Sequence, residues 1–298
     1  MIVRSRPGLF DVAFAVQGSI LPRIIGRLAI IALVSAIAVA ASRYHPGIFA
    51  EMSAIPFTLI GIALSIFLSF RNNSCHDRWW EGRKLWGSLV IACRSFARRI
   101  ATLDEVDRQF FLHGLCGFTE GLAARLRGAD EQVAIAAHCG EGDWSAAVNP
   151  TDRLLHELGR RCLQLMQSGH INPIHYSQLE EQLQLLSQVQ AGCERILLTP
   201  LPYSYSLLLH RTLYIFCLAL PFALAGSLGW WTLLPALLVS YTFFGLDALG
   251  DQLEDPFGLE PNDLPLDAIA RTVEREMLSL LPGTELPPQL EPNAYVLT

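Results

Sequence analysis

The stretch Ile55–Phe70, IPFTLIGIALSIFLSF, decides how this chain is organised. It contains no charged residue, and Ile62, Ile66 and Phe70 recur within it at four-residue intervals, which places them on one side of a helix. The rest of the stretch is apolar as well, so an amphipathic helix packed on a soluble core does not explain the pattern. The stretch therefore predicts a membrane-spanning helix.

Composition and three further apolar runs support a membrane protein. Hydrophobic residues make up 51% of the 298 residues and charged residues 17%, and the mean hydropathy is +0.33. Soluble domains carry about 25% charged residues. The additional runs are Ile24–Ala41, Leu213–Leu228 and Trp230–Leu249. Together with Ile55–Phe70 they predict four transmembrane helices.

Basic residues set the predicted orientation. They concentrate before the first span, after the second and before the third, whereas the links within each pair of spans carry almost no charge. Because basic residues are enriched on the cytoplasmic side, both termini are expected in the cytoplasm of a multi-pass protein of the cell (inner) membrane.

The four spans divide the chain into four predicted segments. These are an N-terminal segment with two spans (1–70), a cytoplasmic helical domain (71–210), two further spans (211–249) and an acidic cytoplasmic C-terminal segment (250–298). Periodicity predicts cytoplasmic helices at Trp79–Ile100, Glu105–Leu126, Thr151–Met166 and Ser177–Leu197. No run alternates as a β-strand does, so the fold class is predicted to be all-α.

The sequence offers no sign of catalysis or nucleic-acid binding. The seven cysteines form no CxxC pair and the eight histidines form no HExxH motif, so reduced, buried thiols are expected. Nucleophile-elbow, phosphate-loop and dinucleotide-binding motifs are missing from the sequence. Residues 247–298 carry eleven acidic and two basic side chains, a charge that opposes binding to nucleic acid and attracts cations. The chain is predicted not to be an enzyme.

An acidic segment, residues 251–263, follows the last span. Its carboxylates and amides are the hard oxygen donors that Ca²⁺ prefers. The ligand order of an EF-hand is not present, and Asx residues are common in turns, so spacing alone favours a solvated turn.

Several motifs together resemble the bestrophin family, in particular its bacterial members. They are FRNN (70–73), RWWEGRKLWG (78–87), PLPYSY (200–205) and EDPFGLEPNDLPLD (254–267). The resemblance covers nearly the whole chain. It implies four transmembrane helices per subunit, a large helical cytoplasmic domain and a homopentamer around a central pore in the lipid bilayer.

The resemblance also assigns the pore-lining residues. Ile62, Ile66 and Phe70 would form three stacked apolar rings in a narrow neck, which gate by dewetting. Ile174, within the segment GHINPI, matches the position of a second, cytoplasmic aperture, and its alternative interpretation is a hydrophobe at a helix start.

Animal bestrophins form a calcium clasp in the acidic segment. Gln252, Asp255, Glu260 and Asp263 occupy the matching positions, but Pro261 and Asn262 stand where animal members have aspartates. Ca²⁺ is therefore the one cofactor that the resemblance implies, and an ion-free clasp is the alternative.

The permeant ion is predicted to be a small monovalent cation, Na⁺ or K⁺. This expectation rests on the acidic C-terminal segment and on the cation preference of bacterial relatives. The alternative is a chloride channel, as in animal bestrophins. An alternative of another class is a membrane scaffold or regulator that conducts nothing.

Overall fold

A computed structural model describes residues 1–3, 18–50, 53–140 and 147–298 of the chain. Within these ranges the α-helices are α1 (Leu21–Tyr44), α2 (Pro46–Ala50), α3 (Ile55–Arg99), α4 (Glu105–Leu126), α5 (Glu131–Cys139), α6 (Pro150–Gln167), α7 (Pro173–Leu198), α8 (Tyr203–Leu228), α9 (Leu233–Glu254) and α10 (Leu266–Leu278). The same ranges contain isolated bridge contacts but no β-strand. The predicted all-α class is confirmed.

The chain forms two compact units. The apolar unit contains Pro200–Glu254 and the described part of Arg4–Arg78. The larger unit contains Met1–Val3, Asp255–Thr298 and the described part of Trp79–Thr199. Helix α3 contributes its first half to the apolar unit and its second half to the larger unit. The division into four segments stays a prediction.

Three helical stretches of the described chain are long and apolar enough to cross a membrane: Leu21–Tyr44, Ile55–Arg99 and Tyr203–Glu254. The last stretch contains both predicted spans of the C-terminal half. Gly229, with φ of +52°, and a short 3₁₀ turn separate α8 from α9.

Aromatic contacts show that α8 and α9 run antiparallel. Phe216 of α8 meets Phe243 of α9 with ring centroids 5.5 Å apart, and Tyr214 meets Phe244 at 5.2 Å. Each pair lies at nearly equal distances in sequence on either side of Gly229, as a helical hairpin requires. The stretch therefore supplies two helices, and the total of four spans stays a prediction.

Helix α3 continues where the sequence predicted two separate helices. Arg71, Asn72 and Asn73 lie inside one 45-residue helix that also contains most of the predicted Trp79–Ile100 helix. The expected break was wrong, since Arg71 and Asn72 find long-range polar partners within the apolar unit. Arg71 is buried against carboxylates, and Asn72 Nδ2 donates to the carbonyl of Leu246 at 3.1 Å.

Side-chain caps define most helix starts in the larger unit. Asp104, Asp130, Asn149 and Asn172 each accept hydrogen bonds from backbone N–H groups in the first turn of α4, α5, α6 and α7. The predicted bounds of α4 are confirmed, and those of α6 and α7 extend by one to four residues. Helices α5 and α10 were not predicted.

One apolar core fills the larger unit. Its largest buried members are Trp86, Phe96, Phe111, Phe118 and Phe257. Six of the seven cysteines in the whole chain are buried, and all seven are free thiols. The interpretation of the cysteines as small buried hydrophobes is confirmed.

Candidate ion-conduction site

The predicted pore stripe lies on an uncovered side of α3. Ile62, Ile66 and Phe70 are 55%, 50% and 59% exposed in the single chain. Leu64 and Leu68, on the opposite side of the same helix, are buried in the core of the apolar unit. The helix therefore packs one face inside its own subunit and leaves this stripe free for other contacts.

Polar residues continue the stripe toward the C-terminal half of α3. Asn73 and Asp77 follow Phe70 at helical spacing on the same side, and both are exposed. The uncovered face thus changes from apolar to polar along its length.

Ile174 is an exposed hydrophobe at the start of α7. Its exposed fraction is 73%. Asn172 caps the helix by accepting from His175 N at 2.8 Å, and Pro173 occupies the first turn. His175 Nε2 lies 2.7 Å from the carbonyl oxygen of Arg99, which fixes this helix start on α3. Its role as an aperture stays a prediction.

A buried ion pair fixes the rotation of α3. Arg71 is 1% exposed and Asp247, on α9, is completely buried. Arg71 Nη1 donates to Asp247 Oδ1 at 3.1 Å, and Arg27 of α1 reaches Asp247 Oδ2 at 3.3 Å. In a low-dielectric environment neither charge is tolerated without an oppositely charged partner.

Further charged groups complete this cluster, which we call the charged anchor: Arg27, Arg71, His210, Asp247, Asp251 and Glu254. Arg71 Nη2 contacts Asp251 at 2.5 Å and Glu254 at 3.3 Å. His210 Nε2 of α8 lies 3.0 Å from Asp247 Oδ1. The charged anchor therefore connects α1, α3, α8 and α9.

One residue of the sequence points to the charged anchor, although the sequence analysis did not predict it. Asp247 lies within a predicted span, and an ionisable side chain at such a position needs a partner. Arg71 follows the second span on the side opposite the apolar stripe. An oppositely charged pair was therefore to be expected, although the sequence does not say which basic residue would join Asp247.

The predicted calcium ligands belong to different elements. Gln252 is buried in α9 of the apolar unit, whereas Asp255, Glu260 and Asp263 belong to the larger unit. Asp263 closes a turn, because its Oδ2 accepts from Glu260 N at 2.7 Å and its own N–H donates to the Glu260 carbonyl at 3.0 Å. Leu264 N donates to the Pro256 carbonyl at 2.8 Å and closes the wider loop.

Asp263 retains one buried oxygen, Oδ1, that has no hydrogen-bond partner. Burial raises the pKa of this carboxyl to about 6; the Glu260 N–H lowers it and the charge of Asp255 raises it. An unpaired oxygen next to other carboxylates fits a cation ligand chemically. The three carboxylates do not converge within 4.8 Å of one another, unlike two other groups of the described chain.

Those two groups each bring three ligand atoms within 4.8 Å of one another. One is His210, Asp247 and Asp251, which belongs to the charged anchor. The other is Glu120, His138 and Glu274 of the larger unit. In the first group guanidinium groups already contact the carboxylates, so a metal ion has no free charge to neutralise there.

The family description "Bacterial/Fungal Bestrophin protein" matches residues 1–279. The chain belongs to this bestrophin family. It is 42% identical to the voltage-dependent anion channel-forming protein mll4386 of Mesorhizobium japonicum, over 98% of this chain and 95% of the relative. It is 37% identical to the voltage-dependent anion channel-forming protein YneE of Escherichia coli K12, over 99% of both.

Solved structures agree with this assignment. The crystal structure of a bacterial bestrophin homologue from Klebsiella pneumoniae is 36% identical, with a TM-score of 0.83, and the match covers 87% of this chain and 98% of that chain. The family is one of membrane ion channels rather than enzymes. The names of the relatives favour the chloride alternative over the cation preference expected from the sequence.

Replacing Asp247 by Asn tests the charged anchor of this bestrophin. The substitution removes one of the three carboxylates that contact the buried Arg71, while Asp251 and Glu254 stay, so we expect a loss of about 1.5–3 kcal/mol in the free energy of unfolding. The measurement is thermal and denaturant unfolding of the purified protein in detergent.

The matched control is Arg94→Gln, which breaks a two-bond pair with Glu276 whose side chains are 52% and 34% exposed. An exposed pair contributes about 0–1 kcal/mol. Equal losses in the two variants would contradict the structural role given to the charged anchor.

Proposed function

We propose that this bestrophin is a subunit of a homopentameric channel of the inner membrane, with both termini cytoplasmic, that conducts small monovalent anions. Five copies of α3 surround the axis, and Ile62, Ile66 and Phe70 form three successive apolar rings. The observation that supports this most is the uncovered stripe on a helix whose other side is anchored inside the subunit.

The polar continuation of the stripe favours a pore over a lipid-facing surface. Apolar residues alone would suit either environment. Asn73 and Asp77 lie on the same side of α3 and are exposed, and a carboxylate facing hydrocarbon is costly. A water-filled passage that widens after the neck accommodates both the apolar rings and the polar residues that follow them.

The apolar rings act as a barrier rather than as binding sites. A narrow ring of isoleucine or phenylalanine side chains offers water no hydrogen bonds, so the neck dewets and ions are excluded until it widens. Small rotations of α3 change the ring diameter. In this proposal Ile174 forms a second constriction at the exposed start of α7.

Anion selectivity is proposed from the names of the relatives, which are called voltage-dependent anion channel-forming proteins. A cation channel is the second candidate, and the excess of eleven acidic over two basic residues in 247–298 favours it. A non-conducting scaffold is the candidate of another class, and it does not require five subunits. Native mass measurement of the detergent-solubilised protein tests the pentamer.

Reversal potentials decide between the ions. We expect purified protein in a planar bilayer with a tenfold NaCl gradient to reverse near the chloride Nernst potential, about 59 mV in magnitude for one charge. Reversal near the sodium potential, of opposite sign, would contradict the anion proposal and support the cation candidate. A protein that assembles as a pentamer but shows no current would support neither.

Replacing Ile66 by Ala tests the neck. The smaller side chain widens the middle ring and lowers the dewetting barrier, so we expect single-channel conductance or open fraction to rise severalfold. The matched control is Ile60→Ala, because Ile60 is exposed on another side of α3 and the substitution removes the same side-chain atoms. If conductance and open fraction rise in both variants, or in neither, the stripe does not line the conduction path.

Calcium is proposed to bind the acidic loop through Asp263 and neighbouring oxygens, and to stabilise the loop. Because the pKa of Asp263 is raised to about 6, protons compete with the ion below that pH. Calcium affinity is expected to fall by about tenfold per pH unit below pH 6. Calcium titrations by calorimetry between pH 5 and 7.5 measure this dependence.

The carboxyl of Asp263 also contributes to the pH dependence of the free energy of unfolding when no calcium is bound. Its folded-state pKa exceeds the ordinary value of 3.8, so the folded chain holds the proton more tightly than the unfolded chain. The free energy of unfolding is therefore expected to decrease as pH rises from about 4 to 6. Asp263→Asn should remove both the calcium binding and this contribution, whereas an unchanged calcium affinity in the variant would exclude Asp263 as a ligand.

A further inference from the structure

We propose that Glu120, His138 and Glu274 form a binding site for a divalent transition-metal ion, with Zn²⁺ as the best chemical match. The three residues come from α4, α5 and α10 of the larger unit. None of them belongs to the apolar stripe, the charged anchor or the acidic loop. The proposed zinc site is therefore separate from the residues proposed to conduct ions or to bind calcium.

The spacing of the ligand atoms fits a metal ion. One atom from each of the three residues lies within 4.8 Å of the others. His138 Nε2 and Glu120 Oε2 are 3.4 Å apart. In a tetrahedral zinc site with bonds of about 2.0–2.1 Å, neighbouring ligand atoms lie about 3.3 Å apart. Two of the three ligands therefore already have the separation of a zinc site.

Burial makes the third ligand, Glu274, costly when its charge is only partly compensated. Glu274 is 9% exposed as a whole residue and 12% exposed over its side chain. Its Oε2 is fully buried and forms an ion pair with Arg271 Nε, 3.2 Å away, but neither of these two atoms makes a hydrogen bond. The side chain of His138 is likewise 9% exposed. A bound cation compensates such a carboxylate more completely than one poorly aligned guanidinium.

The donor types select the ion. Two carboxylates and one imidazole nitrogen suit zinc and its neighbours, whereas Ca²⁺ and Mg²⁺ take oxygen ligands. Two negative charges match a divalent cation.

A cavity lies beside one of the three ligands. His138 lines a cavity of about 500 Å³ together with His113, Cys139 and residues of α6. His113 Nδ1 is buried and has no hydrogen-bond partner. A bound ion would connect the short helix α5 and the helix after the acidic loop, α10, to α4.

The test uses the full-length protein in detergent, stripped of metal with EDTA and titrated with ZnCl₂ against a chromogenic zinc indicator. We expect one zinc ion per wild-type chain and a rise of several degrees in melting temperature. Glu274→Gln and His138→Gln should each weaken zinc binding by at least tenfold. CaCl₂ at the same concentration should not replace zinc.

The matched control is His156→Gln, which removes an exposed histidine of α6 that belongs to neither metal-ligand group. It should bind zinc as wild type does. The proposal is overturned if wild type binds zinc no more tightly than His138→Gln does. It is also overturned if His156→Gln loses as much zinc affinity as the single substitutions at the proposed ligands. Should Glu274→Gln fail to fold, Glu120→Gln, at a partly exposed ligand, tests the proposal in its place.

Discussion

The buried ion pair between Arg71 and Asp247 is the constraint on which the rest of the apolar unit depends. Removing two charges from water costs several kcal/mol per ion, and only close, well-oriented partners repay that cost. Arg71 lies on the side of α3 opposite Ile66, so attaching Arg71 to α9 turns the apolar stripe outward. One electrostatic requirement thereby determines which face of the helix is available to line a pore.

Apolar packing alone would not specify that rotation. The first half of α3 is apolar around its whole circumference, and a helix of this kind can exchange one apolar face for another at little cost in free energy. The charged anchor removes this degeneracy, because Arg27 of α1 and His210 of α8 also converge on Asp247. Every long helix of the apolar unit thus contributes either Asp247 itself or a charged side chain that contacts it.

Local signals predicted much of the fold, and long-range partners explain what they missed. The caps and periodicity of Glu105–Leu126 are local, and that helix was predicted to the residue. The continuation of α3 through Arg71 depends on Asp247, 176 positions away, so the polar sequence looked like an end. The stripe was predictable from its spacing, whereas its exposure and the grouping of Glu120 with Glu274 arise only when separate helices pack. Helix α10 was not predicted, although Leu266, Ala270, Val273 and Met277 recur at helical spacing and are buried.

The proposed channel separates its barrier from its choice of ion. Ile62, Ile66 and Phe70 carry no charge, so the rings proposed for them raise the energy of an anion and of a cation alike. The sign of the permeant ion must then come from the charged and polar groups beside the neck, among them Asp77 on the same face of α3. A carboxylate in that position opposes anions at short range, and salt screens it beyond about 8 Å at physiological ionic strength. In such a channel the rings control how often ions pass, and the flanking groups control which ions do.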